Sequence, residues 1–416
     1  MILLLLCLGQ IDSLTLDQAL DRALTQSPTY LESRYTLDKS RIQFYQALSG
    51  LLPTVSTTGS YSKTVHPDSG VDATERFSTN MNLSMPVFDL DLISSITVAG
   101  LNWKGNRLQH RSDIASLILR VKSAYYNLVN ARELTRSSET AIKRSEENLN
   151  LIKTKFELGA ASRLALLQAE VLNLQTRQDR ASAVTLEVTA QEELKSLLGQ
   201  TRDIEPLDSL TFQEGLTFPP LDSLIDQLDR VNYDIRLARE MEKAARVNLT
   251  SSLFAFLPRV SAFYGFSTSS ESFQTDIDFY TGEATKNYGI SVSFPIFEIK
   301  GLIFKYLNAR KDYQLKKTSR VRVVLETEKA LRTTYYGLQE AYEKLQLSQR
   351  TWEAGREAAN LAQEQYRMGA LSLIDWLKAE GDMNSSKIAY NQAISDYYIK
   401  RLNFSYLLGE ASYVKE

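Results

Sequence analysis

The chain repeats itself at a fixed distance of 210 residues. Lys155-Phe156-Glu157-Leu158-Gly159-Ala160 is answered by Gln365-Tyr366-Arg367-Met368-Gly369-Ala370, Tyr125-Tyr126 by Tyr335-Tyr336, and Leu197-Leu198-Gly199 by Leu407-Leu408-Gly409. An offset that tolerates no insertion between three landmarks belongs to rigid elements of fixed length. A period this long marks a duplicated half-protein rather than a stacked array of short repeats. The expected organisation is a signal peptide over residues 1–12, a first structural repeat over 13–205 and a second over 206–416.

The hydrophobic period tells what each half contains. Leu16, Ala19, Leu20, Ala23 and Leu24 make the stripe of a helix capped by Ser13 or Thr15 and interrupted at Ser27-Pro28. A second helix is expected from Tyr30 to Leu52, stopping at Pro53. The period then changes to two. Residues 54–61 alternate, a polar stretch from Lys63 to Glu75 carries the turn signal Pro67-Asp68-Ser69-Gly70, and Met81, Leu83, Met85 and Val87 alternate with Asn80, Asn82, Ser84 and Pro86. This is a hairpin with one apolar face and one face of small polar residues.

From Leu92 the helical period returns. Ile114, Leu117, Val121, Ala124, Leu128, Ala131, Thr135, Ser138, Ile142, Ser145, Leu149, Ile152 and Phe156 fall at alternating spacings of three and four, with no proline between Pro86 and Pro206. A helix from Leu92 to Phe156 is about 100 Å long. Gly159 caps its C-terminus and Ser162 opens a returning helix, whose seam is expected to include Leu164, Leu167, Val171 and Leu174. Gly159 is thus the tip of a long antiparallel hairpin.

The second half has the same plan. A helix from Leu221, broken near Asn232, ends before Pro258. Val260, Ala262, Tyr264 and Phe266 alternate with small or aromatic neighbours, a polar loop spans Ser267 to Lys286, and Tyr288, Ile290, Val292, Phe294 and Ile296 face one way against Asn287, Gly289, Ser291 and Ser293. Pro295-Ile296-Phe297-Glu298 echoes Pro86-Val87-Phe88-Asp89. A second long helix with the register of Val324, Leu331, Leu338, Leu345 and Trp352 leads to Gly369, the second tip, and Ser372, the second cap.

Four amphipathic strands per chain with apolar faces and Ser/Thr/Asn/Gly faces have the pattern of an outer-membrane barrel. Four cannot close, since the smallest single-chain barrels have about eight strands. Open edges are forbidden in hydrocarbon. Three copies give twelve strands, an even number able to close. The fold class expected is therefore mainly α with a membrane β-barrel portion: long antiparallel helical hairpins, four barrel strands per chain, two structural repeats, and a homotrimer with a 12-strand barrel set in outer-membrane lipid.

Composition removes other classes. Forty-eight basic residues against fifty acidic ones, a net charge of −2, give no electrostatic case for nucleic acid. One cysteine, Cys7, excludes an intrachain disulfide. His66 and His110 alone leave little for a metal site or a histidine-dependent catalyst, and each reads as an ordinary surface residue. No nucleophile elbow, phosphate loop or zinc spacing is found, so neither enzyme activity nor a cofactor is expected. The apolar run Ile2 to Leu8 is far shorter than the ~20 residues of a membrane helix. It reads as the core of a secretory signal peptide with Cys7-Leu8-Gly9 before the cleavage point. Lipidation of Cys7 is the alternative, disfavoured by the bulk of Leu6. Trp103, Trp352 and Trp376 read as packing residues.

The chain resembles the TolC-like outer-membrane efflux protein family. The resemblance runs from Leu14 to Gly409. It is carried by Leu51-Leu52-Pro53 and Phe256-Leu257-Pro258 before the first strand of each half, and by Pro86-Val87-Phe88 and Pro295-Ile296-Phe297 after the second. The two tip motifs and Ser372-Leu373-Ile374-Asp375-Trp376-Leu377-Lys378-Ala379-Glu380 complete it. The resemblance implies a trimeric exit duct in the outer membrane of a Gram-negative bacterium, whose helical hairpins form a tunnel that makes up a large periplasmic part. Its tips dock on a periplasmic adaptor (a membrane fusion protein) bridging to an inner-membrane pump, for drug efflux, metal efflux or type I secretion alike.

It also implies a periplasmic gate at Asp375 and Tyr366, three carboxylates near one axis favouring cations, and adaptor docking at Gly159, Ala160, Ser162, Gly369, Ala370 and Ser372. A carboxylate in the first helical turn, complementing the helix dipole, is the competing reading of Asp375. The chain departs from the family at Lys378, where a second acid is expected, at Ala165, the first-half equivalent of Asp375, and at Leu371, where some members carry an arginine. A rival class, a soluble periplasmic coiled-coil protein without a channel, predicts partition into the aqueous fraction and no heat-resistant trimer.

Overall fold

The computed structural model describes residues 12–65, 74–208, 219–272, 274, 284–294 and 299–409. The signal peptide with Cys7, His66, the Pro67–Gly70 turn and Pro295-Ile296-Phe297 lie outside the described residues. The fold is mainly helical. In chain order the elements are β1 (Asp12–Leu14), α1 (Leu16–Gln26), α2 (Pro28–Ser49), β2 (Thr54–Thr64), β3 (Thr74–Phe88), α3 (Leu90–Glu157) and α4 (Arg163–Leu198). Beyond these come β4 (Ile204–Pro206), α5 (Leu221–Val231), α6 (Tyr233–Phe254), β5 (Arg259–Ser270), β6 (Thr285–Ser293), α7 (Ile299–Arg367) and α8 (Leu373–Leu407).

The chain divides into two compact units that cut across the sequence repeats: Met1–Tyr35, Gln109–Arg236 and Val324–Glu416 form one, Thr36–Leu108 and Leu237–Val323 the other. Each unit draws on both halves of the chain.

The second unit holds an antiparallel sheet in the order β2-β3-β5-β6. Its register lines up side chains across all four strands. Val55 opposes Leu83, Leu83 opposes Tyr264 and Tyr264 opposes Tyr288, an apolar row; the next row is Ser56, Asn82, Gly265 and Asn287. Because side chains alternate faces along a strand, these two rows belong to opposite faces. Gly265 leaves room in the polar row for the Asn287 side chain, whose Oδ1 would stand 2.0 Å from a Cβ there and would have to turn away. The strands are longer than the period alone indicated. Lys63 and Glu75, placed in the polar stretch, are paired across the β2–β3 ladder and joined by a 2.7 Å ion pair. At the base of the sheet Asp89 Oδ1 accepts from the backbone N–H of Asp91 and Leu92, capping α3. Asp91 binds Ser251, Arg259 and Lys305. Phe44 stacks on Trp103 at 5.5 Å, the packing role expected of that tryptophan.

The first unit is helical. Thr15, not Ser13, caps α1, in a capping box with Gln18; Ser13 belongs to the short strand β1, parallel to β4. Pro28 does not simply interrupt the helical run. It opens α2, because at the first helical position its missing N–H would have had no partner anyway. Leu20, Leu117, Val121, Tyr125, Leu128, Leu194 and Leu198 form one buried core, Leu338, Leu345, Ile394 and Tyr397 another. The thirteen seam residues of α3 from Ile114 to Phe156 are all buried or half-buried. The Tyr125 hydroxyl lies 2.9 Å from both Leu14 O and Asp208 Oδ2, either of which can take its one proton, and its counterpart 210 residues on, Tyr335, donates to Pro219 O. His110 is no ordinary surface residue: it is half-buried, its Nδ1 2.9 Å from Ser33 Oγ, which also donates to Asp113.

The seam of α4 is corrected by the structure. Leu164, Leu167, Val171 and Leu174 are 64, 43, 61 and 66% exposed. The buried line is Leu166, Ala169, Asn173, Ala183, Ala190 and Leu194. The reason is steric and local. Leu166 and Ala169 pack on Ile152 of α3, and small residues let two long helices approach where leucines would hold them apart. Asn232, the helix break, caps α6 by accepting from Asp234 and Ile235 N–H while donating to Leu407 O.

Candidate functional site

Each hairpin tip is built by the same backbone device. α3 ends with Gly159 at φ 74° and α7 with Gly369 at φ 76°. Gly159 N–H donates to Phe156 O and Ala160 N–H to Lys155 O; Gly369 N–H donates to Tyr366 O and Ala370 N–H to Gln365 O. This paired pattern closes a helix through a left-handed residue, which glycine alone adopts without strain. A Cβ at either glycine would meet nothing within 4 Å, so backbone conformation alone fixes the residue type. Ala160 and Ala370 are exposed. Ser162 and Ser372 start the return helices, their hydroxyls accepting from Ala165 N–H at 3.1 Å and Asp375 N–H at 3.2 Å.

The tips differ in the first turn of each return helix. Asp375 is exposed, and its Oδ2 accepts from the Ser372 hydroxyl at 2.6 Å. The carboxylate thus sits at the N-terminus of α8, where the helix dipole favours it. Its equivalent, Ala165, packs with Leu373 against the apolar cluster of Ile152, Leu166 and Ala169. An acid at 165 would be desolvated there, which accounts for the asymmetry between the halves. Tyr366 is not beside Asp375 in the hydrogen-bond sense. Its ring stacks on Trp376 at 5.0 Å and 11°, joining the end of α7 to the start of α8. Trp352 stacks likewise on Tyr390.

Sequence reasoning missed the ties between α3 and α8. Arg144 pairs with Glu380, Lys387 Nζ donates to Glu133 at 2.9 Å, and Asn130 donates to Gln392 at 2.7 Å. Glu133 and Arg144 lie eleven residues apart, three helical turns, and so on one face. That periodicity of opposite charge was readable; its partners in α8 were not. Higher on α3, burial pushes the Tyr126 hydroxyl up to about 12. Among the described residues no cluster of potential metal ligands occurs and no helix is long and apolar enough to cross a membrane.

The family profile described as outer membrane efflux protein matches residues 19–200 and 224–410. The chain belongs to the outer membrane efflux protein family, a family of outer-membrane channels of Gram-negative bacteria and not of enzymes. The chain is 26% identical over 397 residues to a probable efflux pump outer membrane protein of Pseudomonas putida, TtgC, covering 90% of this chain and 78% of that one. It is 21% identical over 425 residues to the outer membrane protein TolC of Escherichia coli, covering 94% and 81%. In three dimensions it is similar to the outer membrane channel CmeC of Campylobacter jejuni, with a TM-score of 0.82 at 19% identity over 95% of this chain and 85% of that one.

Proposed function

We propose that the chain is the outer-membrane exit duct of a tripartite efflux or type I secretion assembly, passing substrates from a periplasmic pump–adaptor complex to the exterior. The carrying observation is the four-stranded sheet. Its apolar face is exposed, with Tyr288 at 80% and Ile290 at 71%, and both outer strands, β2 and β6, have one edge unpaired among the described residues. Lipid would cover that face, and only other copies could pair those edges. A homotrimer with twelve strands meets both demands. The relatives are outer-membrane proteins, so a soluble coiled-coil without a channel has no support among them.

In this reading residues 13–205 and 206–416 are two structural repeats behind a signal peptide at 1–12. The matching conformations of Gly159 and Gly369, and of Gly199 at φ 69° and Gly409 at φ 68°, support it. The tips at Gly159, Ala160 and Ser162 and at Gly369, Ala370 and Ser372 dock the adaptor. Asp375 forms the charged ring of the periplasmic gate, and Tyr366 holds the gate end of α7 through Trp376. Planar-bilayer recording of Asp375→Ala tests the gate. We expect higher single-channel conductance or weaker block by a trivalent cation; unchanged conductance and block would remove Asp375 from it.

A further inference from the structure

Helix α7 opens with an unbalanced run of charge. Between Lys300 and Arg322 it has eight basic residues and one acid, Asp312. That is +7 in a chain of net charge −2, which leaves −9 for all other residues. The duplicated fold supplies its own control. The equivalent stretch of α3, 210 residues earlier, has three basic residues, Lys104, Arg107 and Arg111, and one acid, Asp91. A helix in this position therefore forms without the excess, which belongs to the second half alone.

Little of this charge is neutralised within the chain. Lys305 pairs with Asp91 and Arg320 with Glu242. Lys300, Arg310, Lys311, Lys316 and Lys317 are exposed, and none has an ion-pair partner among the described residues. At about 100° per residue these five occupy three sides of the helix: Lys300 with Lys311, Arg310 with Lys317, and Lys316 on the third. A neighbouring copy packed along α7 covers one side and leaves bare cations on the others.

The length of the run selects the partner. Lys300 to Arg322 spans about 33 Å at 1.5 Å per residue. The exit-duct reading, on which this inference rests, directs α7 from the membrane to the periplasmic tip at Gly369. A lipid headgroup layer reaches only about 5–8 Å beyond the hydrocarbon. Anionic lipid could therefore meet Lys300 and the first turns, while Arg310, Lys311, Lys316 and Lys317 stand in the aqueous phase. Nucleic acid, a common partner of basic runs, is absent from that compartment. An extended polymer bearing carboxylates matches the run in length, sign and compartment.

We propose that residues 300–322 of α7 dock the cell wall through the free carboxylates of its peptide stems. The full-length protein in a non-ionic detergent is mixed with purified, protein-free cell-wall sacculi, and the bound fraction is read by sedimentation. We expect saturable binding whose apparent affinity falls at least about tenfold in a variant carrying Arg310→Gln, Lys311→Gln, Lys316→Gln and Lys317→Gln together. A similar loss is expected for the parent when the wall carboxylates are amidated or NaCl is raised to about 0.5 M. Should the variant fail to fold, the amidation and salt arms on the parent still decide. Phosphatidylglycerol vesicles in the same assay separate lipid from wall: substitutions that weaken vesicle binding and leave wall binding unaltered would overturn the proposal. So would wall binding untouched by amidation, or no binding by a protein that conducts in planar bilayers. A protein that opens no channel at all would overturn the exit-duct reading, and this inference with it.

Discussion

At the residue scale, the four left-handed glycines among the described residues separate into two kinds. Gly159 and Gly369 stand in open space, whereas a Cβ on Gly409 would lie 2.6 Å from Val231 O and one on Gly199 2.9 Å from Pro28 Cδ. Gly369→Ala therefore meets only the backbone penalty of the left-handed region, about 1–2 kcal/mol. Gly409→Ala adds an overlap with a carbonyl that cannot swing aside. We expect a modest fall in thermal midpoint for the first and a larger one for the second; equal falls would refute the distinction.

Glu240 gives a pH prediction. Burial alone would raise its carboxyl, but Lys243 and Lys104 at 3.0 Å more than offset that and hold it below its ordinary value of 4.5. A carboxyl depressed in the folded state stabilises above its unfolded value and loses that contribution as pH falls through the folded one. Glu240→Gln should flatten the acid limb of a plot of thermal midpoint against pH; an unaltered limb would exclude Glu240 as its source. The glycines and caps were legible in the sequence because their chemistry is local. Glu240 was legible only in part: Lys243 is three residues on, but Lys104 lies 136 positions away.

At the scale of elements, α3 and α4 show what periodicity can and cannot settle. The α3 seam was legible because that helix has a single sustained stripe. α4 has two. The leucine and valine stripe is the more conspicuous by composition, yet the line of Ala169, Asn173, Ala183 and Ala190 is the one buried within the chain. A sequence shows both stripes but not which partner each one meets. β1 and β4 were missed because three residues carry no period, and the ends of β2 and β3 because Lys63 and Glu75 are polar yet cross-strand partners. The exposed α4 stripe needs cover, and neighbouring copies of the chain are the proposed source. Val171→Asp with Leu174→Asp should leave helix content unchanged while weakening the proposed trimer, read as a heat-resistant band on mild detergent gels. A trimer of unaltered heat resistance would show that another surface makes the contact.

At the scale of the whole molecule, the α3–α8 ties allow a coupling measurement. If Arg144 and Glu380 act as a pair, reversing either charge alone should change gating, and reversing both should restore part of the original conductance. Independent effects, adding without rescue, would mean that the pair is incidental. The proposed trimer is argued from strand number alone, because β2 and β6 each keep one edge unpaired among the described residues.

The interleaving of the two units has a consequence for how the protein is made. β3 takes β5 as its neighbour, with Phe77 opposite Ser270, so a strand finished early in synthesis waits about 190 residues for its partner. Helix α7, which supplies residues to both units, comes later still. No prefix shorter than 323 residues contains a complete unit. The first half must therefore be kept from aggregating through its exposed strand edges until the strands of the second half have been delivered. Cutting the gene at the repeat junction should yield two insoluble halves rather than two small proteins.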